Sequence, residues 1–228
     1  MNSAIIVAAG KSDRMGAGTD KAFLSLGARP VLAWSLLAFE QCHDIDQIVL
    51  VVRKEQLLAT RGAVQMFGIS KLRSIVAGGL RRQDSVAIGL AALDPDTRIV
   101  AVHDGARPCV TPDLISETIR SAKKAGSGVA ASRVVDTIKF VDRGTTVGHT
   151  LERSKLWAVQ TPQTFKVELL RKAYALVAEK DVTITDEAAA MELLEEPVRL
   201  VEWPRANPKI TVAEDLTVAA ALLKIQGS

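Results

Sequence analysis

The chain has 228 residues, 48% of them apolar, and 29 basic against 26 acidic side chains give a net charge of +3. This length suits a single α/β domain, numbered 1–228, with enough apolar residues for one core. This small net charge, with acidic and basic residues mixed along the chain, argues against a nucleic-acid binder. Every apolar run is far shorter than the ~20 residues of a membrane helix. The N-terminus has no signal-peptide pattern, so we expect a cytoplasmic protein.

Strand and helix patterns alternate through the first half of the chain. Apolar runs predict strands at 4–9, 47–52, 74–79 and 98–108. Apolar residues at helical spacing predict helices at 30–42, 81–93 and 111–126, the last with Thr111 as its cap. This alternation predicts a Rossmann-like, mostly parallel twisted sheet with helices on both faces. Polar loops follow residues 9, 77 and 102, and we expect them to converge on one crevice at the carboxyl ends of the strands.

The alternation of strand and helix patterns stops at residues 132–156, where single apolar and polar residues alternate around an Arg143-Gly144 turn. The pattern predicts a protruding β-hairpin arm at about 133–155. Such a hairpin buries little by itself, so we expect it to pack on another surface, for example that of a second subunit.

Helical patterns return after the arm. One helix is predicted at 166–179 and another after Thr185, which would cap it, with Asp186 and Glu187 in the first turn. A last helix is predicted to start at a capping box made by Thr211 and Glu214.

The loop after the first strand, VAAGKSDRMGAGTDKAF at 7–23, has the glycines and cations of a phosphate loop. A P-loop would need glycine where Ile5 stands, and a dinucleotide fingerprint would need Gly or Ala where Lys21 stands, so both motifs are excluded. Small residues at 8–10 still allow close approach of the backbone to phosphate oxygens, and Arg14 and Lys21 could hold a polyphosphate. The alternative is a glycine-rich surface turn with two solvated cations.

Cysteine and histidine spacing excludes common metal sites. The sequence has no Cys-x-x-Cys or His-x-x-x-His pair, so a zinc site built by the protein is not expected. Cys42 and Cys109 are interpreted as buried thiols.

Six segments together resemble one enzyme family. The pattern A-A-G-x-x-x-R followed by Lys21 resembles the loop of nucleotidyltransferases that join a nucleoside triphosphate to a sugar or polyol phosphate. GGLRRQDSV (78–86), VHDGARP (102–108), TPQTF (161–165), TITDEA (183–188) and NPKIT (207–211) resemble the further signatures of 2-C-methyl-D-erythritol 4-phosphate cytidylyltransferases. The segments occur in order over nearly the whole chain, although Leu80 and Pro208 depart from the family pattern.

The resemblance implies transfer of a cytidylyl group from CTP to 2-C-methyl-D-erythritol 4-phosphate, with release of pyrophosphate. It also implies Mg²⁺ or another divalent cation, and a homodimer in which Arg153 on the arm serves the neighbouring subunit's site. The residues it assigns to catalysis are Arg14, Lys21 and Lys209. Those assigned to CTP are Ala8, Ala9, Gly10, Gly78, Gly79, Ser85 and Asp104, the last also a candidate metal ligand. Those assigned to the polyol phosphate are Arg107, Thr137, Arg153, Thr161, Thr185 and Asp186.

Two other functions stay open from the sequence. A sister cytidylyltransferase acting on ribitol 5-phosphate would share the loop and bind a similar polyol. A non-catalytic nucleotide-sugar binding protein would share the fold, although it would need fewer cations near the α-phosphate.

Overall fold

A central sheet of seven strands is formed by the residues that the computed structural model describes, which are 1–10 and 21–225. The strands are β1 (Asn2–Ala8), β2 (Ser25–Leu26), β3 (Arg29–Pro30), β4 (Gln47–Val52), β5 (Leu72–Ala77), β6 (Ile99–Asp104), β7 (Ser127–Arg133), β8 (Lys139–Phe140), β9 (His149–Thr150), β10 (Trp157–Lys166) and β11 (Leu200–Glu202). The α-helices are α1 (Val31–Gln41), α2 (Leu57–Met66), α3 (Arg82–Ala91), α4 (Pro112–Ala125), α5 (Val167–Glu179), α6 (Glu187–Leu193) and α7 (Glu214–Leu222).

The sheet is mostly parallel, as predicted. Its order is β11-β7-β10-β6-β1-β4-β5. Parallel pairs join β1 to β4 and β6, β4 to β5, and β11 to β7, whereas β10 runs antiparallel to both β6 and β7. The carboxyl ends of β1, β4, β5 and β6 therefore share one edge, where ligands bind in sheets of this kind.

Helices cover both faces of the sheet, which confirms the second part of the prediction. Along β1, Ala4 and Ile6 point into a core cluster shared with α1, α2 and α4. Ile5 and Val7 point into a second cluster shared with α3, α5 and α6. Because both faces of the strand are buried, its sequence is a continuous apolar run rather than an alternating one.

A third, smaller core cluster joins segments that carry site residues. Leu26, Ile210 and Ala219 are buried together in it. Leu26 follows Lys21 along the chain, Ile210 follows Lys209, and Ala219 belongs to α7. The C-terminal helix therefore packs on both segments.

The helix caps confirm one prediction and correct two. Thr111 caps α4, with its hydroxyl accepting from the Leu114 N–H, and Gly126 ends the helix at φ 86°. Helix α6 is capped by Asp186, whose Oδ1 accepts from the Ala189 N–H at 3.0 Å, so the prediction of Thr185 as the cap was wrong. The prediction was off by one residue, because the helix begins at Glu187 and the cap is the residue directly before it, Asp186.

The predicted capping box of Thr211 and Glu214 is also wrong. Asp215 Oδ2 accepts from the Thr211 N–H at 2.6 Å, the Thr211 hydroxyl at 2.7 Å and the Val212 N–H at 2.9 Å. Helix α7 begins at Glu214, so Thr211 lies outside it, and the carboxylate one residue further on reaches back to these donors.

The predicted hairpin arm is present. It leaves the sheet where Arg133 of β7 pairs with Trp157 of β10, and it contains the β8–β9 pair with Gly144 at φ 62° in the turn. Residues 139–150 are exposed along their whole length. Its role in dimerisation stays a prediction.

Candidate active site

A cleft of about 250 Å³ lies at the carboxyl ends of β1 and β6. It is lined by Val7, Ala8, Ala9, Gly10, Lys21, Ala22, Gly79, Leu80, Arg81, Arg82, Ser85, Asp104, Ala106, Lys209 and Thr211. The structure thus brings together eight of the residues that the sequence pointed to, namely Ala8, Ala9, Gly10, Lys21, Gly79, Ser85, Asp104 and Lys209. Arg14 lies outside the described residues.

Small side chains make one wall of the cleft. A Cβ atom on Gly78 would lie 2.5 Å from the Ala9 Cβ and 2.7 Å from the Ser85 Oγ, so a larger residue would push the ends of β1 and β5 apart. Gly79 N donates to Ser85 Oγ at 3.1 Å. Gly78 therefore lies behind the lining residues and lets them approach each other.

Three cationic side chains lie around the carboxylate of Asp104. Arg82 Nε donates to Oδ1 at 3.0 Å, Lys209 Nζ donates to Oδ2 at 2.7 Å, and Arg107 Nε lies 3.9 Å from Oδ2. Burial would raise the pKa of Asp104, but Arg82 and then Lys209 hold that pKa well below the usual value of a carboxyl group. Asp104 is therefore ionised over the whole physiological range of pH.

Arg82 is held from behind by a second buried carboxylate. Its guanidinium donates to both oxygens of Glu187, at 2.7 Å and 2.9 Å, and the Tyr174 hydroxyl donates to Glu187 Oε1 at 3.0 Å. Burial would lower the pKa of Arg82, but Glu187 and Asp104 raise it above the ordinary value. The sequence did not predict this pair, because Glu187 stands in the first turn of a helix, where an acidic residue is expected for local reasons alone.

Two of the residues predicted to bind the polyol phosphate lie directly behind Asp104. Arg107 Nη1 donates to the Asn207 carbonyl at 2.8 Å. Thr161 Oγ1 accepts from the Asp104 N–H at 3.0 Å and lies 3.0 Å from His103 Nδ1. Arg107 and Thr161 therefore border the cleft through Asp104, which each of them contacts and which lines the cleft.

The other predicted polyol residues are placed further away. Asp186 caps α6 and accepts from Gln163 Nε2 at 2.9 Å, and Thr185 beside it is exposed. Thr137 and Arg153 lie on the exposed arm, where Arg153 donates to the Val135 carbonyl at 2.5 Å.

The donor set for a metal ion is sparse. Among residues 1–10 and 21–225, no group of three or more His, Cys, Asp or Glu side chains is arranged to hold one. Both Asp104 oxygens are already bonded to cationic side chains. Since Mg²⁺ commonly binds through one or two carboxylates together with substrate phosphates, Asp104 fits such an ion only as a single ligand beside phosphate oxygens.

The whole chain matches one family of known proteins. Residues 2–225 match the family model described as 2-C-methyl-D-erythritol 4-phosphate cytidylyltransferase (IspD). The chain belongs to this family. It is therefore a nucleotidyltransferase enzyme, and more narrowly a cytidylyltransferase.

Curated relatives support the same assignment. The 2-C-methyl-D-erythritol 4-phosphate cytidylyltransferase of Alkaliphilus oremlandii is 44% identical over 97% of this chain and 94% of its own length. The enzyme of the same name from Dehalococcoides mccartyi is 46% identical over 97% of this chain and 95% of its own.

Solved structures share the fold. The 4-diphosphocytidyl-2C-methyl-D-erythritol synthase of Anaerococcus prevotii is 32% identical, with a TM-score of 0.86 over 98% of this chain and 96% of that one. The 2-C-methyl-D-erythritol 4-phosphate cytidylyltransferase of Thermus thermophilus is also 32% identical, with a TM-score of 0.79 over 99% of this chain and 100% of that one. In the part of our chain that the structure describes, every helix is too short or too polar to cross a membrane.

Proposed function

We propose that this chain transfers the cytidylyl group of CTP to 2-C-methyl-D-erythritol 4-phosphate. A phosphate oxygen of the erythritol derivative attacks the α-phosphorus, the bond from that phosphorus to the β-phosphate bridging oxygen breaks, and pyrophosphate leaves. The observation that carries the proposal is the cleft itself, where Lys209 and Arg82 hold one ionised carboxylate, and Lys21 and a wall of small residues complete the lining. Family membership supplies the identity of the two substrates.

The chemistry needs charge neutralisation and positioning more than proton transfer. The attacking phosphate oxygen is already ionised at neutral pH, so the site requires no general base. His103 is fully buried and burial lowers its pKa to about 3, so it is unsuited to that role in any case. Lys21 and Lys209, together with Arg14, would stabilise the charge that builds up around the α-phosphorus and on the leaving pyrophosphate.

The small-residue wall suits the cytosine and ribose. Ala8, Ala9 and Gly10 offer backbone groups to the cleft, and Gly79 and Ser85 close it on the side of β5. Backbone donors at fixed positions can read the edge of a pyrimidine, and the short side chains let the base approach the backbone closely.

We further propose that a divalent cation enters with the nucleotide. Triphosphate oxygens would supply most of its ligands, and Asp104 would be the ligand from the protein. When bound, the cation supplies charge neutralisation on the triphosphate. Arg82 keeps Asp104 ionised and oriented towards the cleft for this purpose.

We also propose a homodimer built through the arm. The arm exposes Val135, Phe140 and Val147, with relative accessibilities of 79%, 46% and 53%. An isolated two-stranded hairpin is marginally stable in water, and a symmetric partner would cover this apolar surface. Thr137 and Arg153 would then reach the partner's cleft, where Arg153 suits the phosphate of the second substrate.

A cytoplasmic location is part of the proposal. Cys42 and Cys109 are free and buried, which is consistent with a reducing compartment.

The proposal is tested by pyrophosphate release from CTP, UTP, ATP and GTP, each paired with 2-C-methyl-D-erythritol 4-phosphate or ribitol 5-phosphate in the presence of Mg²⁺. We expect rapid release from CTP with the erythritol phosphate alone. Faster release with ribitol 5-phosphate would establish the sister activity instead. An absence of release from every pair would contradict the catalytic assignment.

A further inference from the structure

Lys209 lies between two buried anchors. Asn207 is 1% exposed and Ile210 is fully buried, and Pro208 restricts the backbone between Asn207 and Lys209. Ile210 N donates to the Ala106 carbonyl at 2.8 Å. The loop that carries Lys209 is thereby fastened to the turn that follows β6.

The Asn207 anchor belongs to a closed circuit of hydrogen bonds, which we call the His103 circuit. Arg107 Nη1 donates to the Asn207 carbonyl at 2.8 Å, and Asn207 Nδ2 donates to the Thr161 carbonyl at 2.9 Å. Thr161 Oγ1 lies 3.0 Å from His103 Nδ1, and His103 Nε2 lies 3.3 Å from the Arg107 carbonyl, which closes the circuit.

Only one tautomer of His103 satisfies the circuit. The Arg107 carbonyl can only accept, so the proton of a neutral His103 ring sits on Nε2 and is donated to it. His103 Nδ1 is then unprotonated and accepts from the Thr161 hydroxyl, whose oxygen accepts from the Asp104 N–H. Complete burial favours the neutral form of the ring, and the Arg107 carbonyl selects the tautomer.

The circuit connects the two groups that meet in the cleft. Asp104 directly follows His103 and its N–H is bound by Thr161, while Lys209 stands two residues after Asn207. Their side chains meet at 2.7 Å. Within the described part of the chain, Arg107 Nε and Asn207 Oδ1 are buried without a hydrogen-bond partner.

We propose that the His103 circuit sets the position of Lys209 relative to Asp104 for the transfer step, with His103 and Asn207 as positioning residues. The inference rests on the proposed function, because it assigns Lys209 to the reacting phosphate. Both residues act through the groups they hold, since they lie beneath the cleft surface.

The tautomer is tested by ¹⁵N NMR of the imidazoles in the intact wild-type protein, with a His103→Gln variant to assign the signals. We expect His103 to show a protonated Nε2 and an unprotonated Nδ1 at pH 8. A protonated Nδ1 would overturn the circuit.

The positioning role is tested by steady-state kinetics of Asn207→Ala. Removing the bond to Thr161 should lower kcat at least tenfold and change KM for CTP less than about threefold, because the base and ribose bind elsewhere in the cleft. The matched control is Gln160→Ala, which removes the 3.2 Å bond from Asn207 Nδ2 to Gln160 Oε1 and the 3.4 Å bond from Gln160 Nε2 to Ser132 Oγ, both outside the circuit. We expect its kcat to stay within about twofold of the wild type.

A kcat within about twofold of the wild type for Asn207→Ala, or equal losses in both variants, would overturn the positioning role. If Asn207→Ala fails to fold, kinetics of His103→Gln decide in its place, with the same split between kcat and KM expected. Inactivity of the wild type would contradict the proposed function, whereas the NMR result reports on the circuit regardless of turnover.

Discussion

Lys209 Nζ is bonded to Asp104 Oδ2 in the cleft, and Arg107 Nε lies 3.9 Å from the same oxygen. When a phosphate group competes for the lysine, Arg107 is close enough to replace it on Asp104 after a small movement. The carboxylate can therefore release Lys209 without losing all of its compensating charge. Cations outnumber carboxylates around the cleft, which favours binding of a triphosphate.

The first prediction concerns Lys21, which lines the cleft. Lys21→Ala should lower kcat by about 100-fold or more, because it removes a cation from the developing charge, and it should leave the fold intact. Pyrophosphate release and thermal unfolding measure the two effects. Lys124→Ala, on the exposed face of α4, is the control. A near-normal rate for Lys21→Ala would refute the assigned role, and Arg14→Ala is expected to behave in the same way.

Leu80 is a second residue whose exposure suggests a role. It is 100% exposed in the cleft that it helps to line, so within the described part of the chain nothing packs on its side chain. Leu80→Ala should raise KM for CTP by about threefold to tenfold if the side chain is partly buried against the nucleotide. Leu58→Ala, at 82% exposure on α2, is the matched control. Equal KM values in the two variants would leave Leu80 without this role.

For single residues, the sequence predicted which side chains line the cleft better than it predicted their ion-pair partners. The glycines and cations of the first loop identified Lys21, and the resemblance of short segments to the family identified Gly79 and Lys209, all three of which line the cleft. The pair of Arg82 and Glu187 joins residues 105 positions apart, and a single sequence holds no signal for such a contact.

Arg82 and Glu187 also join α3 to α6, so their pairing matters for the elements as well as for the site. The Glu187 side chain is fully buried, and Glu187→Gln should remove the charge that both guanidinium nitrogens of Arg82 contact, leaving Asp104, which Lys209 shares, to compensate it. We expect a loss of about 3 kcal/mol in the free energy of unfolding, measured by urea denaturation. Glu192→Gln, exposed on the same helix, should change it by less than about 0.5 kcal/mol. A similar loss in the free energy of unfolding for both variants would contradict a stabilising role of the Arg82–Glu187 pair.

The arm provides the next prediction. Val147→Lys places a charge on the apolar surface of the arm and should weaken the dimer, whereas Thr145→Lys adds the same charge at a polar, exposed position. Light scattering should give about twice the 24.4 kDa chain mass for the wild type and a shift towards one chain mass for Val147→Lys alone. A monomeric wild type with full activity would contradict the shared site.

Two elements show where sequence patterns stop being informative. No helix was predicted between residues 53 and 73, yet α2 spans Leu57–Met66. Only Thr60 and Val64 of that helix are buried and Gly62 lies inside it, so its apolar periodicity is weak. The reversed direction of β10 is decided by its pairing with β6 and β7, and a strand's own sequence does not record its direction.

For the whole molecule, one buried histidine links stability to pH. Burial lowers the pKa of His103 to about 3, whereas the unfolded chain has the ordinary value of about 6.5. Between these values the unfolded state binds a proton that the folded state does not. The free energy of unfolding should therefore fall as the pH falls, by up to about 1.4 kcal/mol per pH unit from this residue.

Urea denaturation from pH 7 to pH 4.5 measures this dependence. His103→Gln should flatten the slope relative to the wild type, and His43→Gln, at an exposed position, should keep it. Parallel slopes for all three proteins would show that His103 is not neutral in the folded state.

The core cluster that includes Leu26, Ile210 and Ala219 has a consequence for how the enzyme can change over evolutionary time. Lys21 and Lys209 stand on separate loops, but the same terminal helix supports both. A substitution in α7 would alter the two lysines together, so the effects of mutations there and in either loop should be epistatic. Residues far from any substrate can in this way tune turnover, and the lysines are constrained to evolve as a pair.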